Sequence, residues 1–235
     1  MKAMKNKKTL WKWLGAVAIV VLLVCTCRVT IIPDEVPETI VNEKGEVVKV
    51  QKLTYAQQYC QDNWESRILP TVRERAVDIP QFLADVSADL NAAGESYGNR
   101  ANETSAWSFC VKGKVHVLGL ENEEKATKTV LLLDVAPYDG QPDCKIHYAT
   151  VFSPKIKNAI RDSVGFLRLD DFANQVEFAD LTTAFNNRVK EDILQATAAQ
   201  DYVGKEISFY GCISLTEAVY DNYIVIPVEV EVVGG

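Results

Sequence analysis

Histidine is almost absent from this chain: there are two, His116 and His147, in 235 residues. They lie far apart, and no two of the body cysteines Cys60, Cys110, Cys144 and Cys212 share the close spacing of a zinc site, which argues against a bound metal. The G-x-S-x-G string at Gly94–Gly98 follows a predicted helix rather than a strand, so it is not a nucleophile elbow. There is no H-E-x-x-H and no glycine-rich phosphate loop; the signatures of zincins and nucleotide-binding enzymes are missing. A nucleophile–base pair would have to use one of the histidines. Both fall on the polar parity of predicted strands, a position that reads as exposed. Tandem repeats and low-complexity tracts are also missing, and nothing calls for a cofactor. One enzymatic alternative survives: a carboxylate-based glycan hydrolase, because Asp and Glu are numerous and their separation is invisible in sequence.

Basic charge is scarce everywhere except at the start. Lys2, Lys5, Lys7, Lys8 and Lys12 precede any acid, which leaves 20 basic against 32 acidic side chains from residue 28 onward. An acidic body repels phosphate backbones and excludes nucleic acid as a partner. The lysines introduce an uncharged run from Trp13 to Cys27, too short for a free-standing membrane span but normal for the apolar core of an export signal. Two outcomes fit. The segment is cleaved before a cysteine that is then lipidated, or it stays uncleaved as an anchor over Thr9–Ile32, with Lys12 and Arg28 snorkelling to the interfaces. Thr26 before Cys27 suits a lipoprotein signal better than Val24 before Cys25. Either outcome leaves the N-terminus inside and the body outside, in the cell envelope. An oxidising compartment permits disulfides among the four body cysteines, and buried free thiols are the plainer reading.

Residues 28–53 read as a spacer, acidic and proline-containing over Pro33–Lys52, with a small hairpin turning at Asn42–Gly45. Thr54 can cap a helix whose stripe is Ala56, Cys60, Trp64 and Ile68, interrupted or kinked by Pro70. Asp78 and Pro80 start a second helix carrying Phe82, Val86 and Leu90 and ending near Gly94. The period then changes to two. Strands are predicted from Trp107 through Val117, over Val130–Val135, over Cys144–Phe152, and in short form over Gly165–Leu169. Asp171 can cap a longer helix with Phe178, Leu181, Phe185, Val189 and Ile193 at helical spacing. Two alternating runs close the chain, Ile207–Leu215 and Ile224–Val232.

Three strands, a helix and two strands is the order of an OB-fold barrel. The expectation is a mainly β, α+β domain over 54–235: an OB-fold-like five-stranded Greek-key barrel, with a helix between strands three and four and two N-terminal helices packed outside. Gly113 and Gly211 fall on the inward parity, where a coiled strand needs room to bend.

The stretch Ala159–Val189 resembles the most distinctive segment of a bacterial family of predicted periplasmic lipoproteins, domain of unknown function 2291. Arg161-Asp162, Asp171-Phe172, Asn174-Gln175, Glu177, Ala179 and Asn186 carry the likeness. Asn63-Trp64, Leu69-Pro70, Ala76-Val77-Asp78, Tyr97-Gly98, Val203-Gly204-Lys205, Gly211 and Ile226-Pro227-Val228 agree with it. Val151–Lys155 departs from it, since the family often has Gly-Pro-Val before its R-D pair. The resemblance favours Cys27 over Cys25 as the lipidated residue. It implies a helix-decorated OB-related barrel, export to the envelope with membrane attachment through the N-terminal lipid or anchor helix, and frequent genetic association with sugar ABC transporters, whose components are the expected partners. It implies no catalytic activity.

Within that stretch Arg161, Asp162, Asn174, Gln175, Glu177 and Asn186 are the candidate ligand- or partner-binding residues, because planar amides, carboxylates and guanidinium groups grip hydroxyls. Each could equally cap a helix or tie it to the barrel. Trp64 and Trp107 could stack on a sugar ring, but their places on apolar stripes point to the core. The role expected is a non-enzymatic accessory binding protein. Intact mass of the mature protein checks its start: a chain beginning at Cys27 and carrying acyl groups is expected, whereas the full-length mass would establish the uncleaved anchor.

Overall fold

Strand β4 (Trp107–Glu121) has a different neighbour along each half. The computed structural model describes residues 38–41, 47–50 and 53–234. Trp107–His116 pair antiparallel with β7 (Glu206–Leu215), and Val115–Glu121 pair antiparallel with β5 (Val130–Val135). β5 continues to β6 (Cys144–His147), β6 runs parallel to β8 (Ile224–Val232), and β8 returns antiparallel to β7. The order β4-β5-β6-β8-β7 therefore closes on itself, the ring of a five-stranded OB barrel. A two-residue strand, β3 (Val77–Asp78), joins it parallel to β4 at Val111–Lys112, an element the sequence reading did not contain. By itself, β1 (Glu38–Val41) pairs antiparallel with β2 (Val47–Val50) as the expected hairpin.

The alternation in β4 puts Phe109, Val111, Val115 and Val117 on one buried face. Gly113 lies on the same face, where a Cβ would come within 2.5 Å of Ile79 Cγ2, so the glycine admits the first residue of α3 (Ile79–Tyr97). Phe82 and Tyr97 of that helix pack against Phe109 with ring centroids 5.1 and 5.6 Å apart. Gly211 is more confined: its Cβ would stand 2.4 Å from Val225 and 2.7 Å from the Ile226 carbonyl oxygen. The register slips by one at that point, setting Gly211 opposite Pro227, which has no N–H to offer the ladder.

The leading helix has the expected N-cap, with Thr54 and Gln57 exchanging side-chain and backbone hydrogen bonds. Its stripe Ala56, Cys60, Trp64 and Ile68 is buried. Pro70 does not end it. The chain passes from α1 (Tyr55–Asn63) through a π-helical turn, Trp64–Ile68, into α2 (Leu69–Arg75), with Pro70 in the first turn of α2, where a missing N–H costs nothing. An Arg73–Glu229 ion pair then ties α2 to β8.

Two further expectations are corrected. Gly165–Leu169 is not a strand: the chain bends there, Gly165 has φ +77°, and a 3-10 turn starts at Leu169. Strand three stops at His147 rather than Phe152, because its partner β5 begins only at Val130. The Tyr148 and Thr150 N–H groups bond the carbonyls of Thr129 and Ala126 in the turn before it, while the Tyr148 hydroxyl donates to the carbonyls of Ile193 and Thr197. Residues 148–205, which reconnect β6 to β7, carry α4 (Ala159–Ser163) and α5 (Gln175–Val189). Among the described residues no helix is long and apolar enough to cross a membrane; the Trp13–Cys27 run and Cys27 lie outside them.

Gly211→Ala is expected to destabilise by about 2–4 kcal/mol, because the clash includes backbone that cannot rotate away. Gly119→Ala, whose Cβ would meet nothing within 4 Å, is expected to be neutral or slightly stabilising. Urea unfolding of the two variants beside wild type measures both.

Candidate functional site

Helix α5, together with the π-helical turn Lys190–Leu194 that continues it, carries two stripes. The apolar one, Leu181, Phe185, Val189 and Ile193, is buried, with Phe178 at its edge. Phe185 packs on Trp64 at 5.9 Å, and Arg188 reaches Glu65 at 3.5 Å, so α5 is docked on the leading helix. A polar stripe, Gln175, Thr182, Asn186 and Lys190, runs beside it at helical spacing. It forms one wall of an open cleft of about 1140 Å³. The opposite walls come from α4 and from the loops around Asn99 and Thr150–Asn158.

α4 buries Ala159, Ile160 and Ser163 and leaves Arg161 and Asp162 on the cleft side. Arg161 Nε donates to Asp162 Oδ1 at 2.8 Å, and its guanidinium lies 4.1 Å over the Phe178 ring, which links α4 to α5. The pair is mostly shielded, with side-chain exposures of 10% and 18%. Asn186 is the most informative group. Its Nδ2 donates to the Lys157 carbonyl at 3.0 Å, and its Oδ1 is buried with no partner among the described residues. Thr182, also buried, donates to Asn158 Oδ1 at 3.1 Å.

Of the six candidate residues, Arg161, Asp162, Gln175 and Asn186 line the cleft together. Asn174 and Glu177 do not. Asn174 is the N-cap of α5, its Oδ1 accepting from Glu177 N at 2.9 Å, while Glu177 Oε2 accepts from Ala173 N. Sequence reasoning missed Asn158, Thr182 and Lys190. The last two had a signal, since they continue the spacing of Gln175 and Asn186 along α5. Asn158 had none, because it comes from a loop whose path depends on the fold.

The lining holds five cationic side chains (Arg100, Lys157, Arg161, Arg168, Lys190) against three carboxylates (Asp162, Asp170, Asp180), the reverse of the acidic body. Only Arg161 of the five is in an ion pair among the described residues. Lys190 Nζ lies 5.5 Å from the centre of the Phe152 ring, whose neighbour, at 4.3 Å, is His147. His147 is not exposed, as its strand parity suggested, but 4% accessible, with the Phe152 ring packed against it. Burial, and then the charge of Lys190, push its pKa down to about 4. His116 does not join it; it stacks on Tyr138 at 3.9 Å. Trp64 and Trp107 are both core residues, the second packed on Gly94 with its indole N–H on Asn91. No group of three or more His, Cys, Asp or Glu side chains among the described residues could hold a metal.

A family model described as predicted periplasmic lipoprotein (DUF2291) matches residues 17–231. The chain belongs to that family. Membership supports an extracytoplasmic body and brings no catalytic activity. The crystal structure of an OB-fold protein from Thermotoga maritima is similar in fold, with a TM-score of 0.62 at 17% identity over 77% of this chain and 99% of that one. At that identity the likeness shows the fold alone. No curated protein matches.

The depressed His147 gives a signed pH dependence. Below about pH 6.5 the unfolded chain takes up a proton that the native imidazole refuses until about pH 4. Wild type is therefore expected to lose up to about 3 kcal/mol relative to His147→Phe between those pH values, and no more below them. The difference between the two pH–stability curves isolates this group from the carboxylates.

Proposed function

We propose that this family member is a non-enzymatic envelope lipoprotein, held at the membrane through Cys27, that binds a small hydroxyl-rich ligand in the cleft between α4 and α5. Its task would be to serve a sugar ABC transporter. The observation that carries the reading is the buried, unpartnered Oδ1 of Asn186 in the wall of that cleft. A buried acceptor left unpaired costs about 1–3 kcal/mol, a cost that a ligand hydroxyl would remove. Around it stand groups suited to sugars: the amide of Gln175, the hydroxyls of Thr182 and Thr183, and the fixed Arg161–Asp162 pair. Phe152 and Phe178 add aromatic surface. The excess of cations favours neutral or anionic ligands over cationic ones. The transporter association rests on the family resemblance.

The arrangement suits binding better than acid–base chemistry. Asp162 is engaged by Arg161, and Asp170 on the 3-10 turn and Asp180 on α5 are exposed, so none of the three cleft carboxylates sits in the apolar pocket that a general acid needs. Hydrolysis of a glycoside by the purified protein would restore the hydrolase reading.

Titration calorimetry of the mature protein against a panel of monosaccharides and uronic acids is the test. One of them is expected to bind, with Asn186→Ala and Arg161→Ala each weakening it at least tenfold while the thermal midpoint stays within a few degrees. Asn174→Ala is expected to do the opposite, costing about 1 kcal/mol of stability at the helix cap and leaving affinity unchanged. Crosslinking in envelope membranes followed by mass spectrometry is expected to recover permease or ATPase subunits. Binding of no panel member, together with capture of no transporter subunit, would overturn the reading.

A further inference from the structure

Strands β4 and β7 bring two cysteines face to face. Cys110 and Cys212 are direct register partners in an uninterrupted antiparallel ladder, so their side chains leave the sheet on the same side. Both are buried, beneath α4. Ser163 of that helix touches both: its Oγ lies 3.1 Å from Cys212 Sγ, and Cys110 Sγ lies 3.8 Å from its carbonyl oxygen. Two residues along, at the same kind of ladder position, Ser108 and Ser214 are also register partners, and their Oγ atoms are 2.7 Å apart. The spacing of these strands on this face thus brings opposed γ atoms into direct contact. Directly opposed antiparallel residues have Cα atoms about 4.5–5.5 Å apart, inside the range of about 4.4–6.8 Å that a disulfide spans. The other two body thiols, Cys60 on α1 and Cys144 on β6, are buried on different elements.

We propose that in the exported protein Cys110 and Cys212 are joined by a cross-strand disulfide that seals the β4–β7 seam of the barrel. The step is a two-electron oxidation. The thiolate of one cysteine attacks the disulfide of an envelope thiol–disulfide oxidoreductase, forming a mixed disulfide and releasing one oxidoreductase thiolate. The second cysteine then attacks the protein-side sulfur, closing the Cys110–Cys212 bond and expelling the other oxidoreductase thiolate. Two protons leave the chain and the oxidoreductase ends as a dithiol. Because α4 covers both sulfurs, the bond forms while the barrel closes and before α4 docks. Once formed it is shielded from external thiols. The proposal rests on export alone and is independent of what the cleft binds.

The full chain, purified from envelope membranes without reductant, is denatured, alkylated with iodoacetamide and digested with trypsin. A peptide pair joining residues 101–112 to 206–235 is expected, lost on prior reduction, with Cys60 and Cys144 alkylated. Recovery of Cys110 and Cys212 both alkylated, or of either paired with another cysteine, would overturn the proposal. A stability readout accompanies it. Cys110→Ser with Cys212→Ser reproduces the neighbouring serine pair and is expected to melt roughly 10 °C below oxidised wild type, matching wild type prepared under reductant. Equal midpoints for oxidised and reduced wild type would likewise count against it.

Discussion

Sharing of one long strand between two neighbours holds this fold together. β4 gives its first half to β7 and its second half to β5, and only that division turns the row β4-β5-β6-β8-β7 into a closed ring. Closure has a consequence for the connection that follows β6. The chain leaves the ring at His147 and must re-enter at Glu206 beside β4, so the residues between cross the seam where β4 and β7 meet. α4 is the part that touches it, with Ala159, Ile160 and Ser163 buried. A five-residue helix held on one side by a barrel seam can present only its other side, and there Arg161 and Asp162 line the cleft. The site is thus positioned by the closure of the barrel.

Helix α5 then does two jobs with one period. Its apolar stripe docks on α1 through Phe185 and Trp64, which fixes its rotation about its own axis. That rotation points Gln175, Thr182, Asn186 and Lys190 into the cleft. Asparagine in mid-helix is a poor helix former, and half of its cost is met locally by the Lys157 carbonyl. The other half, an acceptor with no partner, is strain that the apolar stripe must offset.

The strand order, the three apolar helix stripes and the two crowded glycines were legible because each rests on local periodicity that tertiary packing reinforces. What was not legible depended on events elsewhere in the chain. Pro70 reads as an interruption of the helix, and the interruption takes the form of a π turn just before it, which leaves the proline in a first turn. His147 sits on the polar parity of its strand and is buried because the returning chain covers it. The site was half legible for the same reason. Arg161, Asp162, Gln175 and Asn186 were identifiable by chemistry, and two of the candidates, Asn174 and Glu177, show how capping selects the same residue types as ligand binding does. Spacing along the helix separates the two sets: the cap residues cluster in one turn, whereas the residues that line the cleft repeat at helical spacing.

The place of the cleft also limits what the barrel itself can reveal. OB folds that bind oligomeric ligands use the face of strands two and three with the flanking loops. Here the corresponding strand β6 carries Lys145, already engaged by Glu121 at 2.9 Å and Asp221 at 3.6 Å and lying 4.6 Å from the Tyr220 ring centre. A cation so neutralised attracts no phosphate backbone, and the surrounding body is acidic. The cationic excess lies instead against α4, α5 and their loops, in the crossing connection rather than in the ring. Barrels of this shape share the ring and differ in what crosses it, so a common fold leaves the ligand undetermined. Most of the cleft lining comes from between His147 and Glu206, the segment that contains α4, α5 and the four candidate residues that line the cleft, with the loop at Asn99–Asn102 completing it.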